Sequence, residues 1–449
     1  MSLFLYTASI REMRLHIRRS ARHRCVLDVA MGIDSRGKLC LFTLILFFDP
    51  SLNLNQNNSD WEVINIVMDN RDLTRATPMK KKSLYAVCIS MVIVGIYLCV
   101  AQKSAIVLIP GEFEQQEAIL VAYEKQPSNQ ADRELLQKQR LTLIDIIVKC
   151  HTSVDIKVLV SDAESHRSAK THLVAKNVDL DKIEFIHQQF DSLWLRDYGP
   201  IQLNTSLGNR EWLDFDYYMP GDTWVNDQGI RQDRADDDSV VDHLAKGQGI
   251  NVRSIDLVMH GGAILSNGGN LLLISKAVFD WNQERYQLSP EQTKARFTKT
   301  FPNFHIEYVM PLAGEPTQHL DMFLVFTSRN TVVVGTYSQR MDYINHVRLN
   351  SVARQLSQLT VDEKPLIVER ISMAPHGQNM FGGSYTNVVF CNGTLLIPDY
   401  GIDPAGLAQA TTLYSRLLPN WNMRAIYSGD LIIAEGALHC VTGNIPALK

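Results

Sequence analysis

A cysteine and a distant histidine stand in two motifs that could together perform nucleophilic catalysis. Cys440 lies in GALHCVTG directly after His439, and His319 lies in TQHLDMFLVF two residues before Asp321. The thiolate is the reactive form of cysteine, and a histidine elsewhere in the chain can serve as its general base. Taken alone, GALHCVTG suits a buried free cysteine better than a nucleophile, so other residues must decide between the two.

Two aspartates indicate what such a thiolate would attack. Asp197 lies in DSLWLRDYGP, three residues after Trp194 at a predicted strand-to-turn junction, where a surface ion pair is an equally good interpretation. His319 and Asp321 are predicted to begin a strand at 320–326, on one face, where a buried charge needs a partner. Carboxylates repel a thiolate unless a cation lies among them. A guanidinium is such a cation, because it is planar, always charged and bonds carboxylates through two N–H groups.

The bulk composition limits the classes of protein to which the chain can belong. Its 449 residues are 45% hydrophobic and 20% charged, which is ordinary for a globular protein. The formal net charge of -4 gives no reason to expect a nucleic acid partner. A mean hydropathy of -0.09 excludes a multi-span membrane protein.

Seven cysteines are scattered along the chain. They are Cys25, Cys40, Cys88, Cys99, Cys150, Cys391 and Cys440. No pair has the C-x-x-C spacing of a zinc ribbon or a thioredoxin-type site. Their odd number and irregular spacing predict that the protein has no disulfide framework.

Residues 79–101 have the layout of a secretory signal peptide. They read MKKKSLYAVCISMVIVGIYLCVA, with three lysines, an apolar run and small residues before a cleavage point after Ala101. We therefore predict export to the periplasm or the extracellular space. Residues 1–78 are interpreted as a non-native upstream extension or a disordered segment, with Met79 as the true start. A membrane anchor at 83–101 and a cytoplasmic protein are the alternatives.

Residues 105–449 alternate β-type and helical stretches, which predicts a single mixed α/β domain. Strands are predicted at 117–123, 154–160, 182–187, 305–310, 320–326, 331–335 and 394–398. Helices are predicted at 136–147, 163–176, 289–300, 343–356 and 404–417. The alternation recurs about five times, and the polar stretch 221–239 is predicted to be an exposed loop.

Several motifs together resemble one known family. They are WLRDYGP, HGGAILSNGG, QHLDMF, SYTNVVFCNGTLLIPDYG and GALHCVTGNIP, in this order. They resemble the bacterial (Porphyromonas-type) peptidylarginine deiminase and agmatine deiminase family over residues 105–449. The family belongs to the guanidino-group-modifying superfamily. The resemblance implies its fold, a five-fold pseudo-symmetric α/β propeller (pentein-like) that forms one catalytic domain.

The resemblance also implies roles for the residues in these motifs. Cys440 would be the nucleophile, His319 the general acid and base, and Asp197 and Asp321 the carboxylates that grip the guanidinium. Trp194 would line the pocket. The thiolate would attack the guanidinium carbon, ammonia would leave, and water would release a ureido product from a covalent thiouronium. This reaction requires no metal and no organic cofactor.

Four further residues are candidates for binding the substrate. His260 stands where agmatine deiminases generally carry an acidic residue, which puts recognition of the agmatine amine in doubt. Arg231 and Arg234 are candidates for holding a substrate carboxylate, as arginines do in the peptidylarginine type. Asn387 follows a Gly-Gly turn and, taken alone, suits a turn residue, but it is included as a candidate substrate contact.

The leading interpretation is an exported hydrolase that deiminates peptidylarginine. Agmatine deimination to N-carbamoylputrescine is the closest alternative, and free arginine is a further substrate. A non-catalytic arginine-binding protein of the same fold is a different possibility, but a binder has no need of the thiol. Amidinotransferase activity is not excluded by residue type.

Overall fold

A computed structural model describes the backbone of residues 11–16, 26–33 and 39–47, together with residues 107–124, 130–205, 208–217, 234–375 and 383–448. Contacts divide the chain into two units, Met1–Ala105 and Ile106–Lys449. The predicted signal peptide at 79–101 lies outside the described residues. No helix in the described part of the chain is both long and apolar enough to cross a membrane. Export therefore stays a prediction.

The first unit contains three antiparallel strands, β1 (Arg11–His16), β2 (Val26–Ile33) and β3 (Leu39–Phe47). They lie within residues 1–78, whose interpretation as a non-native upstream extension or a disordered segment stays a prediction. Strand β3, LCLFTLILF, has an ordinary strand length and composition.

The second unit alternates short strands with helices. Its elements in chain order are β4 (Val107–Leu108), β5 (Gln116–Tyr123), α1 (Gln130–Cys150), β6 (Asp155–Val160), α2 (Ala163–Ala175), β7 (Ile183–His187), α3 (Leu195–Tyr198), β8 (Ile201–Thr205), β9 (Arg210–Asp216), α4 (Ala235–Asp238), α5 (Val240–Gln248), β10 (Asn251–Val258), β11 (Ile264–Ser266), β12 (Leu271–Ser275), α6 (Ala277–Tyr286), α7 (Pro290–Thr300), β13 (His305–Val309), β14 (Leu324–Ser328), β15 (Thr331–Thr336), α8 (Tyr343–Ser357), β16 (Thr360–Val361), β17 (Lys364–Pro365), β18 (Ile367–Ser372), β19 (Val389–Cys391), β20 (Thr394–Asp399), α9 (Pro404–Leu417), β21 (Asn422–Tyr427), α10 (Gly429–Ile432) and β22 (Thr442–Pro446).

Five sheets of this unit share one pattern, a central strand with one antiparallel and one parallel neighbour. The central strands are β5, β9, β12, β15 and β20. Their antiparallel neighbours, called leading strands below, are β22, β8, β11, β14 and β19. Their parallel neighbours are β6, β10, β13, β18 and β21, each reached through at least one helix. The predicted α/β organisation with five repeats is thus confirmed.

The last leading strand comes from the opposite end of the chain. Strand β22 pairs with β5, placing Thr442 opposite Val121, whereas every other leading strand directly precedes its central strand. The C-terminal strand therefore completes the sheet that contains β5.

Local signals set the boundaries of the helices that were predicted well. Ser289 caps α7: its hydroxyl accepts a hydrogen bond from Gln292 N, and its own backbone N–H donates to Gln292 Oε1. Pro290 occupies the first turn. Asp342 caps α8 by accepting a hydrogen bond from the backbone of Asn345.

The strand predicted at 320–326 begins later than expected. It starts at Leu324, so His319 and Asp321 lie in the turn before β14 rather than on a strand face. The backbone N–H groups of Leu320 and Asp321 donate to the carbonyl of Gly262, at 2.9 and 3.2 Å. These bonds from another repeat replace the sheet ladder that the apolar pattern predicted.

A disulfide joins Cys150 at the end of α1 to Cys391 at the end of β19. The sequence analysis predicted that there is no disulfide framework, and it did not foresee this single bridge. The two cysteines are separated by 241 residues. Only the arrangement of the repeats brings them together, which is why their spacing in the sequence was uninformative.

Candidate active site

Polar side chains lie just before the start of all five leading strands. They are Asp197 before β8, His260 before β11, His319 and Asp321 before β14, Asn387 before β19, and His439 and Cys440 before β22. Asp197 lies in α3, where the sequence predicted a strand-to-turn junction. The junctions are joined directly, because Arg196 N donates to the carbonyl of Cys440 at 3.1 Å. The repeat architecture thus gathers residues from distant parts of the chain.

Cys440 supplies a buried thiol at this meeting point. It is 5% exposed and forms no disulfide. Asn387 Nδ2 donates to its sulfur at 3.4 Å, and Asp321 Oδ2 lies 3.9 Å from the sulfur. Burial raises the pKa of Cys440 well above its usual value, and the charges of Asp321 and Asp197 raise it further. The thiol is therefore protonated near neutral pH in the absence of substrate.

Asp197 and Asp321 each keep one buried oxygen without a hydrogen-bond partner among the described residues. In both residues this atom is Oδ1. The other oxygen of Asp321 lies 2.7 Å from Nδ1 of His439, whereas Asp197 Oδ1 lies 3.5 Å from Nδ1 of His319. Burial raises the pKa of Asp197 well above its usual range, and the neighbouring Asp321 raises it further. Such oxygens call for a cationic donor.

His319 turns its two ring nitrogens to different sides. Nδ1 faces Asp197 and the backbone of Gly262, where an added Cβ would lie 2.5 Å from this nitrogen. Nε2 lies 3.0 Å from Nδ1 of His260. Burial lowers the pKa of His319 to about 4, although Asp321 raises it. Near neutral pH the ring is therefore uncharged.

Trp194 and Asn387, both predicted to bind substrate, lie on either side of the cysteine loop. Trp194 is half-buried against Gly436, where an added Cβ would lie 2.2 Å from the indole ring. Asn387 Oδ1 accepts a hydrogen bond from His439 N at 2.8 Å while its Nδ2 contacts the sulfur of Cys440. Asn387 thus positions the nucleophile, which is a different task from the predicted substrate contact.

His260, a predicted substrate contact, lies beside His319. It is fully buried beside Nε2 of His319, while Nδ1 of His319 faces Asp197. Its ring stacks on Trp281 with centroids 4.3 Å apart. His260 is thus a direct neighbour of the predicted general base, and its contact with the substrate stays a prediction.

The structure describes only one of the two arginines that were predicted to hold a substrate carboxylate. Arg234 is buried and donates to the hydroxyl of Tyr217 at 2.6 Å, and its charge lowers the pKa of Asp197. Arg231 lies outside the described residues. The proposed binding of a carboxylate by Arg231 and Arg234 stays a prediction.

The sequence analysis left His439 without a role, and it missed Glu112 and Arg196. His439 lies between two carboxylates, with Nδ1 2.7 Å from Asp321 Oδ2 and Nε2 2.8 Å from Glu112 Oε2. Glu112 Oε1 in turn pairs with Arg196 at 2.7 Å. Ionised carboxylates only accept hydrogen bonds, so both ring nitrogens must donate and His439 is an imidazolium. Its adjacency to Cys440 was the only sequence signal for this network.

Opposing effects set the ionisation of this network. Burial and the charge of Arg196 lower the pKa of His439, but Glu112 and Asp321 raise it, and the net shift is upward. Burial raises the pKa of Glu112, but Arg196 and His439 lower it to about 2. The imidazolium thus holds one oxygen of Asp321 and leaves the other directed into the site.

Glu112→Gln is expected to remove one component of the pH dependence of stability. Its folded pKa of about 2 lies below the ordinary value of 4.5. The stability it contributes is therefore fully present above pH ~4.5 and lost as the pH falls through ~2. Denaturant unfolding should show a difference in the free energy of unfolding between wild type and variant, and this difference should narrow from neutral to acidic pH. A difference that stays constant would contradict this, and the exposed Glu184→Gln serves as the control.

Comparison with known proteins gives the family of the chain. The model of the Porphyromonas-type peptidyl-arginine deiminase family matches residues 108–446. Agmatine deiminase from Stutzerimonas stutzeri (strain A1501) is 24% identical over 311 residues, which are 62% of this chain and 82% of that protein. Agmatine deiminase from Pseudomonas aeruginosa (strain LESB58) is 21% identical over 370 residues, which are 75% and 95% of the two chains.

Solved structures agree with the predicted fold. Agmatine deiminase from C. jejuni, solved as a cysteine-to-serine variant with substrate bound, superimposes with a TM-score of 0.64 at 19% identity. The match covers 76% of this chain and 96% of that one. The five-fold α/β propeller predicted from the motifs is confirmed by this similarity and by the five sheets. The chain belongs to the Porphyromonas-type peptidyl-arginine deiminase family and is a guanidine deiminase with the pentein fold.

Proposed function

We propose that this protein hydrolyses the terminal guanidinium of a small arginine-derived substrate, with agmatine as the first candidate. The observation that supports this most is the pair of buried oxygens, Asp197 Oδ1 and Asp321 Oδ1, that have no hydrogen-bond partner among the described residues. They belong to the same buried cluster as the thiol of Cys440. A guanidinium placed between them would satisfy both acceptors through its planar N–H groups.

The substrate supplies a further cation beside the thiol, because His439 is already paired with Asp321 and Glu112. His319 does not supply this charge, because its pKa of about 4 leaves it neutral near pH 7. A bound guanidinium neutralises Asp197 and Asp321, which hold the pKa of Cys440 high. The thiol proton then passes to Nδ1 of His319, and the thiolate bonds to the guanidinium carbon.

Most protons of the remaining steps pass through His319. His319, now an imidazolium, gives its proton to one amino group of the substrate. The C–N bond breaks, ammonia departs, and a thiouronium remains on Cys440. Water then adds to this carbon while Nδ1 of His319 takes its proton. Breakage of the C–S bond releases the ureido product, whose hydroxyl proton passes to solvent. His319 returns its proton to the sulfur, which restores the thiol. General acid–base catalysis of this kind contributes about 10²–10⁴-fold.

The choice of agmatine reverses the preference drawn from the sequence. His260 was taken as a lost carboxylate contact for the agmatine amine, but its ring lies against His319 instead. That objection to agmatine therefore weakens. The curated relatives that match this chain over nearly their whole length include the agmatine deiminase from Pseudomonas aeruginosa (strain LESB58).

A substrate comparison tests this proposal. Purified full-length protein is incubated separately with agmatine, free arginine and an arginine-containing peptide, and ammonia and ureido product are measured. We expect the highest kcat/KM with agmatine and equal amounts of the two products. Turnover of the peptide alone would overturn the choice of agmatine, and no turnover of any of the three would overturn the deiminase proposal.

Peptidylarginine is kept as a second candidate because one observation favours an exported protein. The disulfide between Cys150 and Cys391 suits an oxidising compartment, as does the signal-like segment at 79–101. We propose that the protein is exported. Fractionation of the source cells and N-terminal sequencing test this, and a cytoplasmic protein that starts upstream of residue 79 would contradict it.

A further inference from the structure

His260 is a buried histidine that the proposed reaction has not yet used. It has 0% exposure, and its Nδ1 lies 3.0 Å from Nε2 of His319. Its ring stacks on Trp281 at an interplanar angle of 21°, and the ring of Tyr217 meets it edge-on with centroids 4.9 Å apart. Two aromatic side chains therefore fix the direction in which this imidazole presents Nδ1.

The contact between the two histidines restricts where their protons lie. Two nitrogens 3.0 Å apart share one N–H, so one ring donates and the other accepts. Nδ1 of His319 is the nitrogen that faces Asp197, and it must take up and release a proton in the proposed reaction. Nε2 of His319 must then keep its proton throughout, because losing both would leave an imidazolate. His260 therefore accepts at Nδ1 and carries its own proton on Nε2.

We propose that His260 is a positioning residue that holds His319 in its Nε2–H tautomer, with the Nδ1 lone pair directed at the guanidinium. This inference rests on the proposed deiminase reaction. In catalytic triads a carboxylate occupies the corresponding place behind the base. An anionic acceptor stabilises the imidazolium strongly, whereas a neutral imidazole does so much less. His260 thus orients His319 without making it a stronger base, which favours release of its proton to the leaving amine.

Other groups around His260 and His319 are also charged or titratable. They are Asp197 and Asp321 on the Nδ1 side, Glu315 and His439 near His319, and Tyr217 and Arg234 near His260. Glu315 accepts the backbone N–H of His319 at 2.9 Å and does not contact the ring nitrogens. Among the described residues, His260 is the side chain that contacts Nε2 of His319.

Three substitutions of His260 separate its orienting role from its charge. His260→Leu removes the acceptor, and we expect kcat to fall about 10–100-fold with a smaller change in KM. His260→Gln can still accept a hydrogen bond and should retain more of kcat than His260→Leu. His260→Glu introduces an anionic acceptor, and the limb of the pH–rate profile that reports His319 should move up by about one unit or more. The exposed His305→Gln is the matched control and should behave as wild type.

A second readout does not depend on turnover. Nitrogen NMR of histidine-labelled full-length protein, with the His319 signals assigned from His319→Gln, reports which ring nitrogen carries the proton. We expect Nε2–H in the wild type and a shift towards Nδ1–H in His260→Leu. Melting temperatures show whether each variant is folded, and His260→Gln and His260→Glu carry the comparison if His260→Leu unfolds.

The outcomes distinguish this inference from the proposed function. An Nδ1–H tautomer in the wild type, or an unchanged tautomer, kcat and pH profile in all three variants, would overturn the role of His260. Failure of the wild type to act on any guanidine would overturn the proposed function, while the tautomer measurement would still decide whether His260 sets the proton position on His319.

Discussion

Replacing Cys440 by serine should abolish turnover while leaving guanidinium binding largely intact. Serine is close to cysteine in size, so the contacts with Asn387 and the loop before β22 are kept. A hydroxyl is far less acidic than a thiol, and a bound guanidinium cannot ionise it sufficiently. Loss of a nucleophile that acts in concert with a general base costs as much as ~10⁶-fold in kcat. We expect at least about 10⁴-fold here.

Two measurements check this expectation. Release of ureido product gives the loss of kcat, and calorimetry gives the affinity of the variant for agmatine. Acid-quenched wild type should also carry the mass of the thiouronium on Cys440, and the variant should not. Full activity of Cys440→Ser or Cys440→Ala would refute covalent catalysis by this residue.

Asp321→Asn should produce the second-largest loss, because both oxygens of this carboxylate have a task. Oδ2 holds the His439 imidazolium at 2.7 Å, and Oδ1, which has no hydrogen-bond partner in the described part of the chain, would receive the guanidinium. The amide would place an N–H₂ group against one of these two cations. Removing one partner of a buried ion pair costs about 3–5 kcal/mol, so we expect kcat/KM to fall about 10²–10⁴-fold.

The control for this variant makes the same chemical change elsewhere. Asp342→Asn alters the cap of α8 outside the site, and asparagine caps a helix about as well as aspartate. The kcat/KM of this variant should therefore equal that of the wild type. Steady-state kinetics and thermal unfolding of both variants separate loss of binding from loss of folding. An Asp321→Asn enzyme with wild-type kcat/KM would show that Asp321 does not grip the substrate.

The residue types at the site were predictable because few side chains can perform each task. A thiol, an imidazole and two carboxylates already indicated attack on a guanidinium, and the motifs placed these groups at Cys440, His319, Asp197 and Asp321. The helix at Pro290–Thr300 was predictable for a related reason, since its capping residues are its own neighbours in sequence. Local chemistry was readable wherever it depended on adjacent residues.

What the sequence missed depends on contacts between repeats. The apolar run after Asp321 indicated a strand, but bonds to the carbonyl of Gly262 hold this segment as a turn. Glu112 carries no motif, and its role arises only because the fold places it against His439. The contact of His260 with His319 was not foreseen, because the two residues are 59 positions apart in the sequence. Tertiary contacts decided each of these outcomes.

The pairing of β22 with β5 also has a consequence during synthesis on the ribosome. Cys440 lies two residues before β22, so the nucleophile emerges only after the other four leading strands and all five central strands have been made. Strand β5 lacks one neighbour until then, and pairing over such a long separation is slow and exposes an edge meanwhile. A chain that stops before Cys440 therefore lacks the thiol, and a chain that stops before Thr442 leaves β5 without its antiparallel neighbour.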